Sequence, residues 1–238
     1  MQQTVFITGV SSGLGLGLTK AYLDDGARVY GLSRREPKGL SDRSGFHFAS
    51  VDLSGLEQIA PAVERLLEGV PRIDVAILNA GVLGEIGDMG ETPLERMRRI
   101  MDVNLWANKP VLDAVFSGNR EVTQVVAISS GAAVSGSRGW NGYSLSKAAL
   151  NMMMKLYAAE RPGTHFSALA PGIVDTAMQA HMRALPADPR FPTVDRLKMA
   201  AGTPDMPEPD SLAPRMLEAF ERLMGLKSGE FHDIRSIH

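Results

Sequence analysis

The stretch that most narrows what this chain can become lies at its start. Thr4-Val5-Phe6-Ile7 is a short apolar, β-rich run that reads as a buried strand. It ends in Thr8-Gly9-Val10-Ser11-Ser12-Gly13-Leu14-Gly15, and a helix-like segment follows from Leu16 to Leu23. Strand, glycine-rich turn and helix in this order present the free N–H groups of a helix N-terminus to a phosphate. The spacing G-x-x-x-G-x-G is a variant of the dinucleotide fingerprint. Gly9 permits the tight turn, while Gly13 and Gly15 let a ligand and the neighbouring strand approach, with Ser11, Ser12 and Leu14 completing the expected cradle. A P-loop is disfavoured, because no Gly-Lys-Ser/Thr closes the motif.

The 238 residues suffice for one α/β domain with a sizeable core. Lys plus Arg total 25 against 27 for Asp plus Glu, a balance that offers no electrostatic footprint for nucleic acid or an anionic membrane. The absence of cysteine excludes disulfides and thiolate metal sites and fits a reducing compartment. No apolar run approaches a membrane span, and the first strand begins at Thr4, so the expectation is a cytoplasmic protein without a signal peptide. The histidines show no ligand spacing and no carboxylates cluster, so no metal is expected.

Arg28 to Ser33 reads as the second strand, and its end bears on the cofactor. An acidic residue there suits the ribose hydroxyls of NAD, whereas arginine suits a 2′-phosphate. Ser33-Arg34-Arg35 offers two guanidiniums and no acid, which favours NADP(H) and keeps NAD(H) possible, with Glu36 available to pair with an arginine. Phe46 to Val51 is a third strand, closed by Asp52-Leu53; Asp52 either meets the adenine amino group or caps a helix starting near Ser54. Leu56 to Leu67 is helical by its apolar spacing. Asp74 to Leu78 is a continuous apolar strand of the kind found at the centre of a parallel sheet, running into Asn79-Ala80-Gly81.

Thr92-Pro93-Leu94-Glu95 predicts a helix start by capping box with proline at the first helical position. That helix carries Met97, Ile100, Met101, Val103 and Leu105 inward with Asn104 among them, and Pro110 should kink or end it a turn earlier. Thr123 to Ile128 is a strand that delivers Ser129 and Ser130 at its carboxyl end, where open parallel sheets bind ligands. A helix from Tyr143 to Glu160 is apolar on nearly every face. One side must cover the sheet, and the other meets either a neighbouring subunit, in a homodimer or homotetramer, or a second helix of the same chain. His165 to Ala170 is a strand ending in Pro171-Gly172-Ile173-Val174-Asp175-Thr176. Residues 177–210 are proline-punctuated and methionine-rich, an active-site lid or a packing excursion. A last helix covers roughly Asp210 to Met224, with Pro214 in or near its first turn, and Glu230 to Ile234 gives a final strand.

Tyr143 and Lys147 stand four apart, on one face of a helix. A cation beside a phenol favours the phenolate, so Lys147 is expected to lower the Tyr143 pKa from near ~10 toward a working acid and base. Taken together, the glycine motif, Asn79-Ala80-Gly81, Asn104, Ser130, Tyr143-x-x-x-Lys147 and Pro171-Gly172 resemble the short-chain dehydrogenase/reductase family from Thr4 to Thr176. Leu78 and Ala107 depart from common family residues. The stretch Leu78 to Gly84 is similar to the benzil- and sepiapterin-reductase branch.

The resemblance implies a single Rossmann-type α/β domain with a seven-stranded, doubly wound parallel sheet. It also implies a catalytic tetrad of Asn104, Ser130, Tyr143 and Lys147. Ser130 would bond the substrate oxygen, Tyr143 would supply the proton, and Lys147 would hold the nicotinamide ribose. Asn104 would bind a water linking Lys147 to solvent, and Pro171, Gly172, Ile173 and Thr176 would join Asn79, Ala80 and Gly81 along the cofactor. The expected activity is NADPH-dependent reduction of a ketone or aldehyde. The rivals are an NAD-linked alcohol dehydrogenase of the same family and a nucleotide sensor without catalysis. Leu83, Ala132, Trp140 and Met178 suggest an apolar or aromatic substrate.

Overall fold

A computed structural model describes residues 2–237. Seven parallel strands form one sheet in the order β3-β2-β1-β4-β5-β6-β7: β1 Thr4–Thr8, β2 Arg28–Ser33, β3 Phe46–Ser50, β4 Arg72–Leu78, β5 Glu121–Ile128, β6 His165–Ala170 and β7 Phe231–Asp233. The central strands are buried on both faces, which is why they read as unbroken apolar runs and not as alternating ones. After β1 the chain moves to β2 and β3 on one side, then returns to place β4 on the other. The reversal opens a crevice beyond the carboxyl ends of β1 and β4.

Helices cover both faces, and a further single-turn helix, α5 (Ala132–Ser135), follows β5. On one, α2 (Leu56–Leu66), α4 (Asn108–Val115) and α6 (Asn141–Glu160) enclose Phe6, Leu32, Ile59, Leu112, Leu150 and Phe166. On the other, α1 (Gly13–Asp24) and α9 (Pro209–Leu223) enclose Ile7, Leu18, Ile77, Leu169, Met216 and Phe220. Arg120 ties the first layer together, donating to the carbonyls of Leu67, Val70, Ala114 and Val115 at 2.8–3.0 Å, at and just beyond the ends of α2 and α4.

Several elements differ from the sequence reading. The capping box does not form. Helix α3 (Leu94–Met101) has Pro93 at its cap position, and the Thr92 hydroxyl instead donates to Asp88 O at 3.0 Å and accepts from Asn141 Nδ2 at 2.6 Å. The break expected ahead of Pro110 is present as a π turn, Asp102–Trp106, in which Ala107 N donates to Asp102 O at 2.8 Å. Pro214 lies deeper in α9 than the first turn; its missing N–H would have faced the carbonyl of Asp210, and both residues are exposed, so water can serve that carbonyl.

Residues 177–210 are not a plain connection. They fold into α7 (Ala177–Ala184) and α8 (Pro192–Ala200), with Pro192 at the start of α8. These helices close a third apolar cluster of Leu83, Trp140, Met182, Phe191, Val194 and Leu197. Helix α6 buries the stripe Ser146, Lys147, Leu150, Met154 and Tyr157, while Leu145, Met152 and Leu156 stay more than half exposed. Its Gly142 abuts Ile100 and Met97 of α3, so part of the second face is met within the chain.

Candidate active site

A cleft of about 1360 Å³ runs along the carboxyl ends of the strands. Crossing the sheet from β3 to β6, it is lined by Asp52 and Leu53, by Ser33, Arg34 and Arg35, by Gly9, Ser11, Ser12, Gly13 and Leu14, by Asn79, Ala80 and Gly81, by Ser130, and by Pro171, Gly172, Ile173 and Thr176. Gly15 is not on the lining. A Cβ there would stand 2.2 Å from Gly9 O and 2.4 Å from Asn79 Nδ2, so this glycine serves the close packing of the turn against β4 and not contact with a ligand. Gly9 adopts φ +78°, a conformation that favours glycine, and the same Asn79 amide donates to Thr8 O at 3.0 Å and Gly9 O at 3.3 Å. In return Thr8 Oγ1 accepts from Asn79 N and Ala80 N at 3.0 and 3.1 Å. The ends of β1 and β4 are thereby stitched together, and the first N–H groups of α1 carry no side-chain cap. Uncapped donors beside glycines suit a pyrophosphate.

At the β2 end, Ser33 Oγ donates to Arg35 O at 2.7 Å and Ser50 Oγ to Arg34 O at 3.0 Å, fixing the backbone of the two arginines. Both are exposed, and neither forms an ion pair among the described residues, Glu36 included. Asp52 does not cap α2, whose cap position is Gly55. Its Oδ1 accepts from Ser54 N at 3.0 Å and Ser54 Oγ at 2.9 Å. The Ser54 backbone bond holds this carboxyl below its ordinary range; burial opposes it, and the Ser54 hydroxyl and the Arg34 charge add smaller lowering effects.

Beyond β5, Ser130, Tyr143 and Lys147 share the cleft. Lys147 is 4% exposed; its Nζ donates to Ile128 O at 2.7 Å and sits 5.8 Å from the centre of the Tyr143 ring. Burial pulls this amine down to about 8. The expected lowering of the Tyr143 pKa by Lys147 is not what the structure gives. Burial pushes the phenol above its ordinary value, and the Ser130 hydroxyl beside it offsets only part of the rise. The amine's hydrogen bond goes to a carbonyl, which leaves desolvation the larger effect on the phenol.

Asn104 is fully buried in the π turn and does not reach the cleft lining. Its Oδ1 accepts from Val82 N at 2.7 Å, and its Nδ2 donates to Val82 O at 2.8 Å and Ser146 Oγ at 3.0 Å. Ser146 Oγ in turn donates to Tyr143 O at 2.7 Å, so Asn104 reaches Tyr143 through one side chain. Gly81 fills the space between: a Cβ there would lie 3.3 Å from Asn104 Oδ1 and 3.5 Å from Lys147 Nζ.

Leu83, Ala132, Trp140 and Met178 all line the same cleft beside Tyr143, with the rings of Trp140 and Tyr143 5.9 Å apart. Met182, from the methionine-rich segment, and Leu197 complete this pocket, with Phe191 packed behind it; the sequence reading named neither Leu197 nor the ion pairs that join the neighbouring loops. Asp88 takes Arg138 through both carboxylate oxygens, at 2.6 and 2.7 Å, and Arg190 at 3.2 Å; Arg190 also binds Asp188 at 2.8 Å. The spacing of Met178 and Met182, four apart on one helix face, was a usable signal. Nothing in the sequence pairs Asp88 with a residue 102 positions away. No group of three or more metal-ligating side chains occurs among the described residues, and none of their helices is long and apolar enough to cross a membrane.

The short chain dehydrogenase family model matches residues 3–186. Benzil reductase ((S)-benzoin forming) of Bacillus subtilis is 31% identical, over 96% of this chain and 97% of that protein. The crystal structure of the short chain dehydrogenase/reductase YIR035C of Saccharomyces cerevisiae superimposes with a TM-score of 0.83 at 23% identity, covering 98% of this chain and 96% of that one. The structure of ElxO with NADP bound gives 0.81 at 21% identity, over 98% and 97%. A turn built to receive pyrophosphate, a serine, tyrosine and lysine gathered at the adjoining strand ends, and a relative matched over nearly its whole length lead to one conclusion: this chain belongs to the short-chain dehydrogenase/reductase family and is an NAD(P)-dependent oxidoreductase of carbonyl-reductase type.

Proposed function

We propose that the protein reduces an apolar, aryl-bearing ketone or aldehyde to an alcohol and prefers NADPH. The observation that carries this is the placement of Ser130, Tyr143 and Lys147 against a pocket walled by Leu83, Trp140, Met178 and Met182. A nicotinamide cofactor held along the glycine turn and by Lys147 would supply the hydride for the carbonyl carbon. Ser130 donates a hydrogen bond to the carbonyl oxygen, orienting it and stabilising the charge that develops there. Tyr143 Oη gives its proton to that oxygen, completing the alcohol. A phenol whose pKa is raised by burial stays protonated at neutral pH, the form that serves reduction. Lys147, largely protonated below about 8, supplies the nearby positive charge and a donor for the nicotinamide ribose. Asn104 is a positioning residue, holding Val82 and, through Ser146, the first turn of α6.

The cofactor preference rests on Arg34 and Arg35, held by Ser33 and Ser50 and free of carboxylate partners among the described residues, a suitable pair for a 2′-phosphate. The Bacillus relative is named for an aromatic 1,2-diketone, which agrees with the apolar pocket. The exposed row Leu145, Met152 and Leu156 on α6 is a suitable face for a second copy in a homodimer or homotetramer.

Tyr143→Phe tests the chemistry. It is expected to lower kcat for benzil by at least a thousandfold while cofactor binding, read by nicotinamide fluorescence, changes little. Retained reductase activity would refute the proton role. Arg34→Ala should raise KM for NADPH at least tenfold and leave NADH nearly unaffected; equal losses with both would refute the preference.

A further inference from the structure

Among the arginines and lysines of residues 177–210, all but one are engaged. Arg183 donates to Asp175 at 2.7 Å, Arg190 to Asp188 at 2.8 Å, and Lys198 to Leu185 O at 2.6 Å. Arg196 is exposed and has neither a hydrogen bond nor an ion pair among the described residues. It nevertheless lines the cleft, as do Thr193, Leu197 and Ala200, which share with it one stripe of α8. Leu197 of that stripe packs with Trp140 and Met182 in the apolar cluster beside Tyr143. Two exposed apolar side chains line the cleft as well, Val134 on α5 and Met199 on α8, at 68% and 74% exposure. The apolar lining is therefore not confined to the buried cluster. It reaches water, and on α8 it does so beside a free cation.

Charge points the same way. The chain carries a net −2, yet Lys147 and five arginines line the cleft against Asp52, Asp205 and Asp233. Arg34, Arg35 and Lys147 serve the cofactor in the reading above, and Arg235 is held by Asp233 at 2.6 Å. Arg196 and Arg215 remain. Arg215 stands on α9, whose apolar residues belong to the cluster around α1, whereas those of α8 belong to the substrate pocket.

We propose that Arg196 receives a carboxylate carried by the substrate, so that the pocket selects carbonyl compounds with an apolar body and an acidic group at the far end. This rests on the carbonyl-reductase reading above. The carbonyl meets Ser130 and Tyr143, the aryl or alkyl body lies against Trp140, Met178 and Met182, and the acid reaches the mouth of the cleft. A guanidinium offers a carboxylate two parallel hydrogen bonds, and one without an internal partner has no bond to give up. Water screens the pair, so its effect is modest and falls on substrate binding and not on the proton step.

The test compares 4-benzoylbutyrate with its methyl ester, which keeps the phenyl ketone and the chain and lacks the charge, using whichever nicotinamide cofactor supports turnover. The acids one carbon shorter and one longer, with their esters, vary the reach. At the best length, kcat/KM for the acid should exceed that for the ester about fivefold, through KM. Arg196→Met should bring this ratio down to about one, Arg196→Lys should keep part of it, and added salt should erode it. Arg215→Met should leave the ratio as it was. Equal use of acid and ester at every length, or a ratio that survives Arg196→Met, would overturn the inference, while continued reduction of the esters would keep the reductase reading intact. Failure of the unsubstituted protein to reduce any ketone, benzil included, would sink that reading and this inference with it.

Discussion

At the nucleotide end of the cleft, Thr8, Gly9, Gly15 and Asn79 interlock through backbone and fully or partly buried side chains inside the sheet. At the substrate end, Arg138, Asp88 and Arg190 join three loops through side chains that water reaches. The first region brings together residues on adjacent strands by contacts that leave no room for a methyl group. The second relies on ion pairs of small individual worth, laid over an apolar cluster. One end is therefore built to present a fixed cradle. The other is held by pairs that can rearrange while its core, Phe191 and Leu197 included, stays apolar.

The sharpest way to break the contrast is Gly15→Ala. The added methyl would lie 2.2 Å from a backbone oxygen that is itself anchored by Asn79, and such overpacking should cost about 3 kcal/mol or more. Chemical denaturation measures it; a loss below about 1 kcal/mol would mean that the turn adjusts and that this end is no stiffer than the other.

Lys147→Met probes the boundary between the two regions. The amine falls from 10.5 to about 8 on folding, so the folded protein binds fewer protons than the unfolded chain between those values, and stability rises with pH across that window. Burying the charge costs stability at pH 7. Methionine should therefore abolish turnover while raising stability there by roughly 1–2 kcal/mol, after allowing for the lost bond to Ile128 O. The advantage should vanish as pH climbs from 8 to 10.5, in parallel denaturation curves at several pH values. A pH-independent difference would show that the amine is not depressed.

The smallest effect on folding is expected from Arg190→Met, which removes an exposed guanidinium and keeps most of its stem. Melting temperature should hardly move, whereas KM for a bulky aromatic ketone should rise several-fold, as it should when salt screens the same contacts in the unsubstituted protein. An unchanged KM with a large fall in melting temperature would reverse the comparison drawn between the two ends.

Local signals served the first region well because its chemistry is local. The strands β2 and β6 carry their apolar runs between clear punctuation and begin and end where their sequence predicts. The same reasoning failed at Thr92, where a capping box was a fair expectation from four adjacent residues. The hydroxyl is instead claimed by Asp88 and Asn141, the latter 49 positions away. It failed again at residues 177–210, where proline density concealed two short helices that owe their stability to the cluster they cover.

The amino-acid sequence by itself determined the order of the seven strands and the glycine turn, since propensity, periodicity and steric freedom act over a few residues, and resemblance to a family pattern singled out Ser130, Tyr143 and Lys147. Only the tertiary structure decided that Gly15 packs against Gly9 O, that the Tyr143 phenol is raised and not lowered, and that Asn104 reaches the tyrosine through Ser146. Those outcomes depend on desolvation and on partners brought from distant segments. Neither is encoded in spacing, because both are set by which surfaces the folded chain removes from water.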